Sequence, residues 1–502
     1  VDELMIGDFN NDASIKLSDA NLNMLPDGVI RPTYDRSKLT AGIVHIGLGN
    51  FHRAHQAWYL HRLLQQGLAH DWAIIGAGVR ASDVAQRAIL LDQDCLTTLI
   101  ELDPSGKSAE VCGSMIDFLP VEQNNASLIA MMANPFIRIV SLTVTEGGYF
   151  QDPATSAFDE AHTDILHDAA NPGTPCTAFG AVVAALRIRR DNGHGPFSGQ
   201  SCDNLQGNGR IFRQTVVSLA RLSDPELAMW IDENCTFPNS MVDCIVPATG
   251  PAEIALARSF GIDDKAPVTH ENFRQWVVED KFCAGRPPWE RVGATISDDV
   301  HEFEVMKLRI LNGGHQVVAI PAELLGIDTI ADAMATPLIK AFLRKIVTDE
   351  IAPQVKSVPG MNPLDYLDLI DRRFSNPEIK DTTRRVAFDG SSRQPGFIVP
   401  SIRDGIAKGK SMSGLALVSA LWARYCEGTR EDGAVIKPND PNWVEVHAVA
   451  KMAKSDPIQW LEMSQYYGEL AENDGFTGAF SDWMHMIGEN GVKEALRRYL
   501  IN

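Results

Sequence analysis

The chain has 502 residues, too many for one ordinary hydrophobic core, so two domains are the expectation. Its 45% hydrophobic and 22% charged residues are the composition of a soluble globular protein. A net charge of −20 repels nucleic acid and anionic lipid, which argues against both as partners and gives no long-range help to a phosphorylated substrate.

The eight cysteines are dispersed and none forms a Cys-x-x-Cys pair, so no metal site is expected and a reduced, cytoplasmic setting is. The first residues, Val1-Asp2-Glu3-Leu4, are acidic and lack an apolar stretch, so a signal peptide is not expected. No apolar run approaches the length of a membrane span, since residues 127–144 are interrupted by Asn134, Pro135 and Arg138.

Residues 1–40 are polar, contain Pro26 and Pro32, and read as an arm wrapping a later domain. An apolar strand over 43–46 runs into Gly47-Leu48-Gly49-Asn50-Phe51-His52-Arg53, followed by a helix over 52–66. Glycines at a strand-to-helix turn let a diphosphate approach the backbone, so Gly47, Gly49, Asn50, Phe51, His52 and Arg53 are candidate cofactor residues; the alternative is a plain tight turn. A second strand over 72–79 precedes Arg80 and Asp83. An acid there takes the adenosine ribose hydroxyls and favours NAD, whereas Arg80 would accept a 2′-phosphate.

Strands over 96–102, 111–119 and 137–144 alternate with a helix over 125–132, which predicts a doubly wound α/β sheet. The last of these strands ends in Thr143-Val144-Thr145-Glu146-Gly147-Gly148-Tyr149, placing Thr145 and Glu146 at the edge where ligands bind. A helix over 179–190 and a strand over 197–201 lead to Cys202-Asp203-Asn204-Leu205-Gln206-Gly207-Asn208, with Asn204 and Asn208 again at a strand end and a helix over 208–222 beyond. Turn and helix-cap chemistry is the competing explanation, above all for Asn208. Asp243 sits in the apolar run 241–247, and Pro287 and Pro288 mark a hinge.

From about residue 297 the pattern becomes helical, giving domains 1–296 and 297–502. The most informative stretch is Glu304-Val305-Met306-Lys307-Leu308-Arg309-Ile310-Leu311-Asn312-Gly313-Gly314-His315. On an α-helix, Lys307, His315 and Asn312 lie near −60°, +20° and +80° of Glu304, roughly, an arc of about 140°. The alternative is a surface helix with a Glu304–Lys307 pair. Further on, Arg385 and Arg393 bracket Asp389-Gly390-Ser391-Ser392 in a polar turn.

Four of these stretches together resemble the signatures of the polyol-specific long-chain dehydrogenases. They are Gly-Leu-Gly-Asn-Phe-His-Arg-Ala-His-Gln, Thr-Val-Thr-Glu-Gly-Gly-Tyr, Ser-Cys-Asp-Asn with Asn208, and Lys307-x-x-x-x-Asn312-x-x-His315. The Met-Val-Asp run around Asp243 is similar too, but Cys244 stands where the family has Arg, which puts an ion pair with Asp243 in doubt. The resemblance implies a Rossmann-type N-terminal domain, a mostly α-helical C-terminal domain and a site in the cleft. It implies metal-free, NAD-dependent interconversion of a linear polyol and a ketose, mannitol and fructose foremost, by a monomer in the family's manner. By the same resemblance Lys307 is the base, Asn204 and Asn312 donate to the oxyanion, and His315 holds the substrate oxygen. Glu304 relays protons or tunes Lys307, and Asp243, Arg385 and Arg393 meet the substrate. A hexuronate reductase, a polyol-phosphate dehydrogenase and a non-catalytic NAD-binding regulator remain as alternatives.

Overall fold

The structure, a computed structural model, describes residues 14–151 and 157–501, and of Glu146 the backbone alone. The chain divides into two compact units, Val1–Val300 and His301–Asn502.

The first unit is built on five parallel strands: β1 (Ala41–Ile46), β2 (Ala73–Ala77), β3 (Met115–Phe118), β4 (Ile139–Leu142) and β5 (Ser198–Ser201). They lie in the order β3-β2-β1-β4-β5. Successive side chains of a strand face opposite ways. Val44, Ile46, Ile75, Val140 and Leu142 therefore enter one core, and Ile43, Ile74 and Ile139 the other. Both faces are covered, which is why these strands read as near-continuous apolar runs. The strand order reverses between β1 and β4, and in such sheets ligands bind outside the carboxyl ends at that reversal.

Two sequence expectations differ in detail. The helix expected over 52–66 is two, α1 (Asn50–Ala54) and α2 (Gln56–Gln65), broken at His55 with φ −119° and ψ −91°. The break is held by a long-range bond, His55 Nε2 to the carbonyl of Gln275 at 2.9 Å. The described part of the arm, from residue 14, lies along the first unit itself: Ile15–Lys16 pairs with Ile262–Asp263, and Val29–Ile30 pairs with Ala109–Glu110. Helices of this unit also include α3 (Asp83–Asp92), α4 (Ala178–Asp191) and α5 (Asn208–Ser223).

The second unit is helical, with only isolated bridges such as Thr329 to Thr382 among its described residues. Its start combines α6 (Val300–Met306), a π-helix Lys307–Asn312 and α7 (Gly313–Leu324). Further helices are α8 (Pro363–Phe374) and α9 (Ser413–Cys426). Every residue of α9 from Gly414 to Ala423 is buried, as expected of a helix apolar all round at the centre of its unit.

Candidate active site

The glycine turn after β1 divides its labour. Gly47 has φ +94°, and a Cβ there would lie 2.1 Å from the carbonyl oxygen of Thr143. It is glycine so that β1 can pass close to the end of β4, where Thr143 Oγ1 also donates to Gly47 O at 2.6 Å. Gly49 is different: a Cβ there would meet nothing within 4 Å. Open space over a backbone at the sheet's switch point is what an approaching diphosphate needs.

The side chains that follow face inward rather than toward a phosphate. His52 and Arg53 are 1% and 2% exposed. Arg53 donates to Ala266 O at 2.5 Å and Asn50 Oδ1 at 2.7 Å, and Asn50 Nδ2 donates to Pro247 O and Thr249 Oγ1, both at 2.9 Å. Phe51 stacks on His55 at 4.9 Å. His52 stacks on His45 at 3.4 Å, and burial followed by the neighbouring His45 holds its imidazole well below the usual range, hence neutral. The His52 and Arg53 side chains, expected from the sequence to meet phosphates, brace the turn from beneath, while the backbone at Gly49 faces open space.

After β4 the chain turns sharply. Thr145 has φ +69° and ψ 164°, a region essentially restricted to glycine, and its side chain is exposed. The Glu146 side chain lies outside the described residues. After β5, Asp203 is 8% exposed and accepts from Val144 N and Thr145 N at 3.0 Å each and from the Tyr149 hydroxyl at 2.7 Å. Sequence reasoning passed over Asp203 in favour of its neighbour; the signal was an acid directly behind a strand end. Asn204 is exposed. Asn208 is fully buried and serves the structure: its amide donates to Asp203 O at 3.0 Å and Ser240 O at 2.8 Å and accepts from Ser240 N at 2.9 Å. That geometry favours the competing turn explanation over cofactor contact.

Asp83 opens α3, where its Oδ2 accepts from Val79 N at 3.0 Å and Arg80 N at 2.9 Å. It closes the turn after β2 with one carboxylate oxygen. Arg80 reaches back to Val144 O at 3.3 Å. Asp243 is 6% exposed at the end of Ser240–Asp243, opposite Gln275 in an antiparallel pair.

In the second unit, Glu304 and Lys307 are 6% and 8% exposed, which rules out the solvated surface helix. The expected unbroken α-helix is also corrected. Bonds from i to i+5 over Lys307–Asn312 widen the turn to about 80° per residue in place of 100°. Taking Lys307 as zero, His315, Asn312 and Glu304 then fall near −20°, +40° and +60°, about an 80° arc instead of about 140°. The π-turn thus gathers the four polar groups onto one narrower face. Its neighbours include two more π-helices, Val347–Ile351 and Gln394–Ile398. His315 stacks on Phe374 of α8 at 4.0 Å, which fixes its ring. Arg309 pairs with Asp404 at 2.5 Å.

Arg385 forms a two-pronged pair with Asp381, Nε to Oδ1 at 2.6 Å and Nη2 to Oδ2 at 2.5 Å. Arg393 donates to Val386 O at 2.5 Å. Between them Asp389 has φ +59°, and Ser391 is tied to Asp440 through Ser391 N at 2.8 Å and Oγ at 2.7 Å. Among the described residues one group, His167, Asp168 and Cys176, is close enough to share a metal. The Asp168 oxygens already accept from Cys176 N, Thr177 N, Thr177 Oγ1 and His167 Nδ1, and they face the amino end of α4, whose dipole disfavours a cation. Asp168 thereby braces Thr177, the residue that caps α4.

A doubly wound sheet with an open glycine at its switch point, and a helical unit bearing a buried lysine beside an asparagine and a histidine, define a nucleotide-dependent dehydrogenase construction. The mannitol dehydrogenase Rossmann domain matches residues 41–291, and the mannitol dehydrogenase C-terminal domain matches residues 299–487. Mannitol 2-dehydrogenase of Cereibacter sphaeroides is 56% identical over 472 residues, 94% of this chain and 99% of that protein. The Aspergillus fumigatus mannitol 2-dehydrogenase is 39% identical over 500 residues, 97% of this chain and 100% of its own. Two solved structures are similar. One is Pseudomonas fluorescens mannitol 2-dehydrogenase in ternary complex with NAD and D-mannitol, at TM-score 0.86 and 39% identity, covering 97% of this chain and 100% of that one. The other is D-sorbitol dehydrogenase in substrate-free form, at TM-score 0.90 and 35% identity, covering 96% and 100%. The chain belongs to the mannitol dehydrogenase family.

Proposed function

We propose that the chain oxidises a secondary hydroxyl of a linear polyol, D-mannitol foremost, to the ketose with NAD, and runs the reverse reduction. The observation that carries this reading is the π-turn that brings Lys307 and Asn312 onto one face with His315, in a chain 39% identical to a mannitol 2-dehydrogenase solved with NAD and D-mannitol. The residues present fit a dinucleotide, since Gly49 leaves its backbone uncovered where a Cβ would meet nothing. Gly47, Gly49, Thr145 and Glu146 would border it, with Asp83 reading the ribose. When bound, NAD supplies the hydride acceptor.

The chain itself must move a proton and hold an alkoxide. Lys307 takes the hydroxyl proton, a general-base step worth roughly 10²–10⁴ in rate. Asn204 and Asn312 donate amide hydrogens to the oxygen as charge develops, each worth on the order of 10²–10³ when well placed. His315, its ring held on Phe374, orients the same oxygen. Glu304, one turn before Lys307, passes the proton on. Asp243, Arg385 and Arg393 take the other hydroxyls. No metal is required, because the amine and the two amides do what a Lewis acid would; exhaustive chelation is expected to leave the rate unchanged.

The hexuronate alternative needs a cation to hold the substrate carboxylate. Arg385 is already neutralised by buried Asp381, which favours an uncharged polyol. All eight cysteines are free, as in a reducing cytoplasm, and no helix of the described residues is long and apolar enough to cross a membrane. We take the working form to be a monomer, which a solution mass measurement checks. The deciding assay follows NADH formation with mannitol, sorbitol, arabinitol, mannonate and mannitol 1-phosphate. Mannitol is expected to give the highest kcat/KM, and preference for mannonate would replace this reading with the uronate one.

A further inference from the structure

We propose that Asp203 is a positioning residue for the dehydrogenase reaction: its carboxylate gathers the successive amides of Val144 and Thr145 and so fixes the edge of β4 against the turn that carries Asn204. This rests on the polyol dehydrogenase reading above. In a strand, successive N–H groups point to opposite sides. Here two in a row converge on one carboxylate, Val144 N on Oδ2 and Thr145 N on Oδ1, each at 3.0 Å. Directly after this clamped peptide Thr145 stands at φ +69° and ψ 164°, where a β-branched residue is held solely by its surroundings.

Asp203 is itself gripped from three sides. Tyr149 donates its hydroxyl to Oδ2 at 2.7 Å, and burial with the nearby carboxylate charge keeps that phenol protonated. The Asp203 carbonyl accepts from Asn208 Nδ2 at 3.0 Å and from Leu205 N at 2.9 Å. The second of these bonds spans one residue, so Asn204 is the apex of a three-residue turn closed by Asp203. One residue therefore sets both the exposed Thr145 edge, beside the switch point, and the aim of the Asn204 amide. A misplacement of about 1 Å at such groups costs about 10²-fold.

The test is a double-mutant cycle between Asp203→Asn and Thr145→Gly, with thermal midpoint, NADH affinity by fluorescence, and kcat and KM all measured. Asparagine turns an NH₂ toward one of the two amides, donor against donor. Asp203→Asn is expected to lower kcat/KM for polyol oxidation by about 10–100-fold, mostly in kcat, well below its thermal midpoint. Glycine adopts the Thr145 conformation without strain, so Asp203→Asn should cost at least about fivefold less in the Thr145→Gly background. Equal losses in both backgrounds, or a lowered midpoint with kcat and KM unchanged, would overturn the proposal. If Asp203→Asn does not fold, Tyr149→Phe, which takes the hydroxyl from Oδ2 and from Ser201 Oγ and leaves both amides on the carboxylate, is expected to lower kcat by about 3–10-fold, and an unchanged kcat overturns it. Should the wild type oxidise no polyol, the function is wrong while this inference is still decided by the cycle in NADH affinity.

Discussion

Gly47 packs so closely on Thr143 that a Cβ would stand 2.1 Å from its carbonyl oxygen, whereas two residues later Gly49 faces open space. The two glycines of one motif therefore have opposite sensitivities. Gly47→Ala forces a left-handed φ and a backbone clash at the sheet's centre, and is expected to destabilise the protein by about 2–5 kcal/mol. Gly49→Ala should fold with a near wild-type thermal midpoint, since its φ is −74°, yet lose NADH affinity because its methyl occupies the approach to the backbone. Thermal melts and NADH titration of both variants check this; normal NADH binding by Gly49→Ala would move the diphosphate away from this turn.

The strands, the glycine turn and the helical second half were legible because they rest on local patterning: apolar runs ended by glycine, then apolar residues at helical spacing. What stayed hidden depends on partners far along the chain. Arg53 looked like a phosphate ligand because its acceptor, Ala266 O, is 213 residues away. Asp203 sat inside a stretch already singled out, but nothing local says that its oxygens hold the amides after β4. The π-turn was invisible for a third reason: the apolar residues of 305–320 satisfy an α-helix as well, and the segments it packs against, such as Gln394–Ile398, lie far along the chain. Burial of Lys307 and Glu304 could be suspected from cost alone, since polar groups on an apolar helix need a reason.

Acid should weaken the first unit before its carboxylates titrate. Burial lowers His45 from 6.5 to about 3, and burial followed by the charge of Arg274 lowers His270 from 6.5 to about 3. These imidazoles are neutral in the folded unit and take up protons on unfolding. Their contribution is complete above pH 6.5 and falls away as the pH drops toward 3, by about 1.4 kcal/mol per pH unit for each proton. The thermal midpoint should fall between pH 7 and 5, and the decline should be shallower in His45→Asn. An identical slope in that variant would take His45 out of the account.

Cofactor choice is expected to turn on Asp83. Its Oδ2 closes the turn after β2, and the carboxylate's charge stays at that turn to repel a 2′-phosphate. Asp83→Ala should narrow the preference for NAD over NADP, mainly through KM for NADP, with a modest loss of stability from the two unpaired amides. If the wild type already uses NADP better, Arg80 is the reader and Asp83 only a turn residue.

Lys307 is the most exacting test, because a lysine serves as a base only as the free amine. A solvated lysine has a pKa near 10.4 and is almost wholly protonated at neutral pH. Lys307 is 8% exposed at the first position of the π-turn, a setting that penalises the ammonium. Arg309, whose charge is met by Asp404, adds little repulsion, and Glu304 on the same face works the other way. Polyol oxidation should therefore rise with pH as the amine is freed and flatten above that, while ketose reduction, which needs the protonated form, should fall over the same range. Lys307→Ala should lose roughly 10²–10⁴ or more in oxidation rate with NADH affinity near wild type, and added primary amines should return part of it. Near-normal kcat in Lys307→Ala with an unchanged pH profile would remove the lysine from the mechanism.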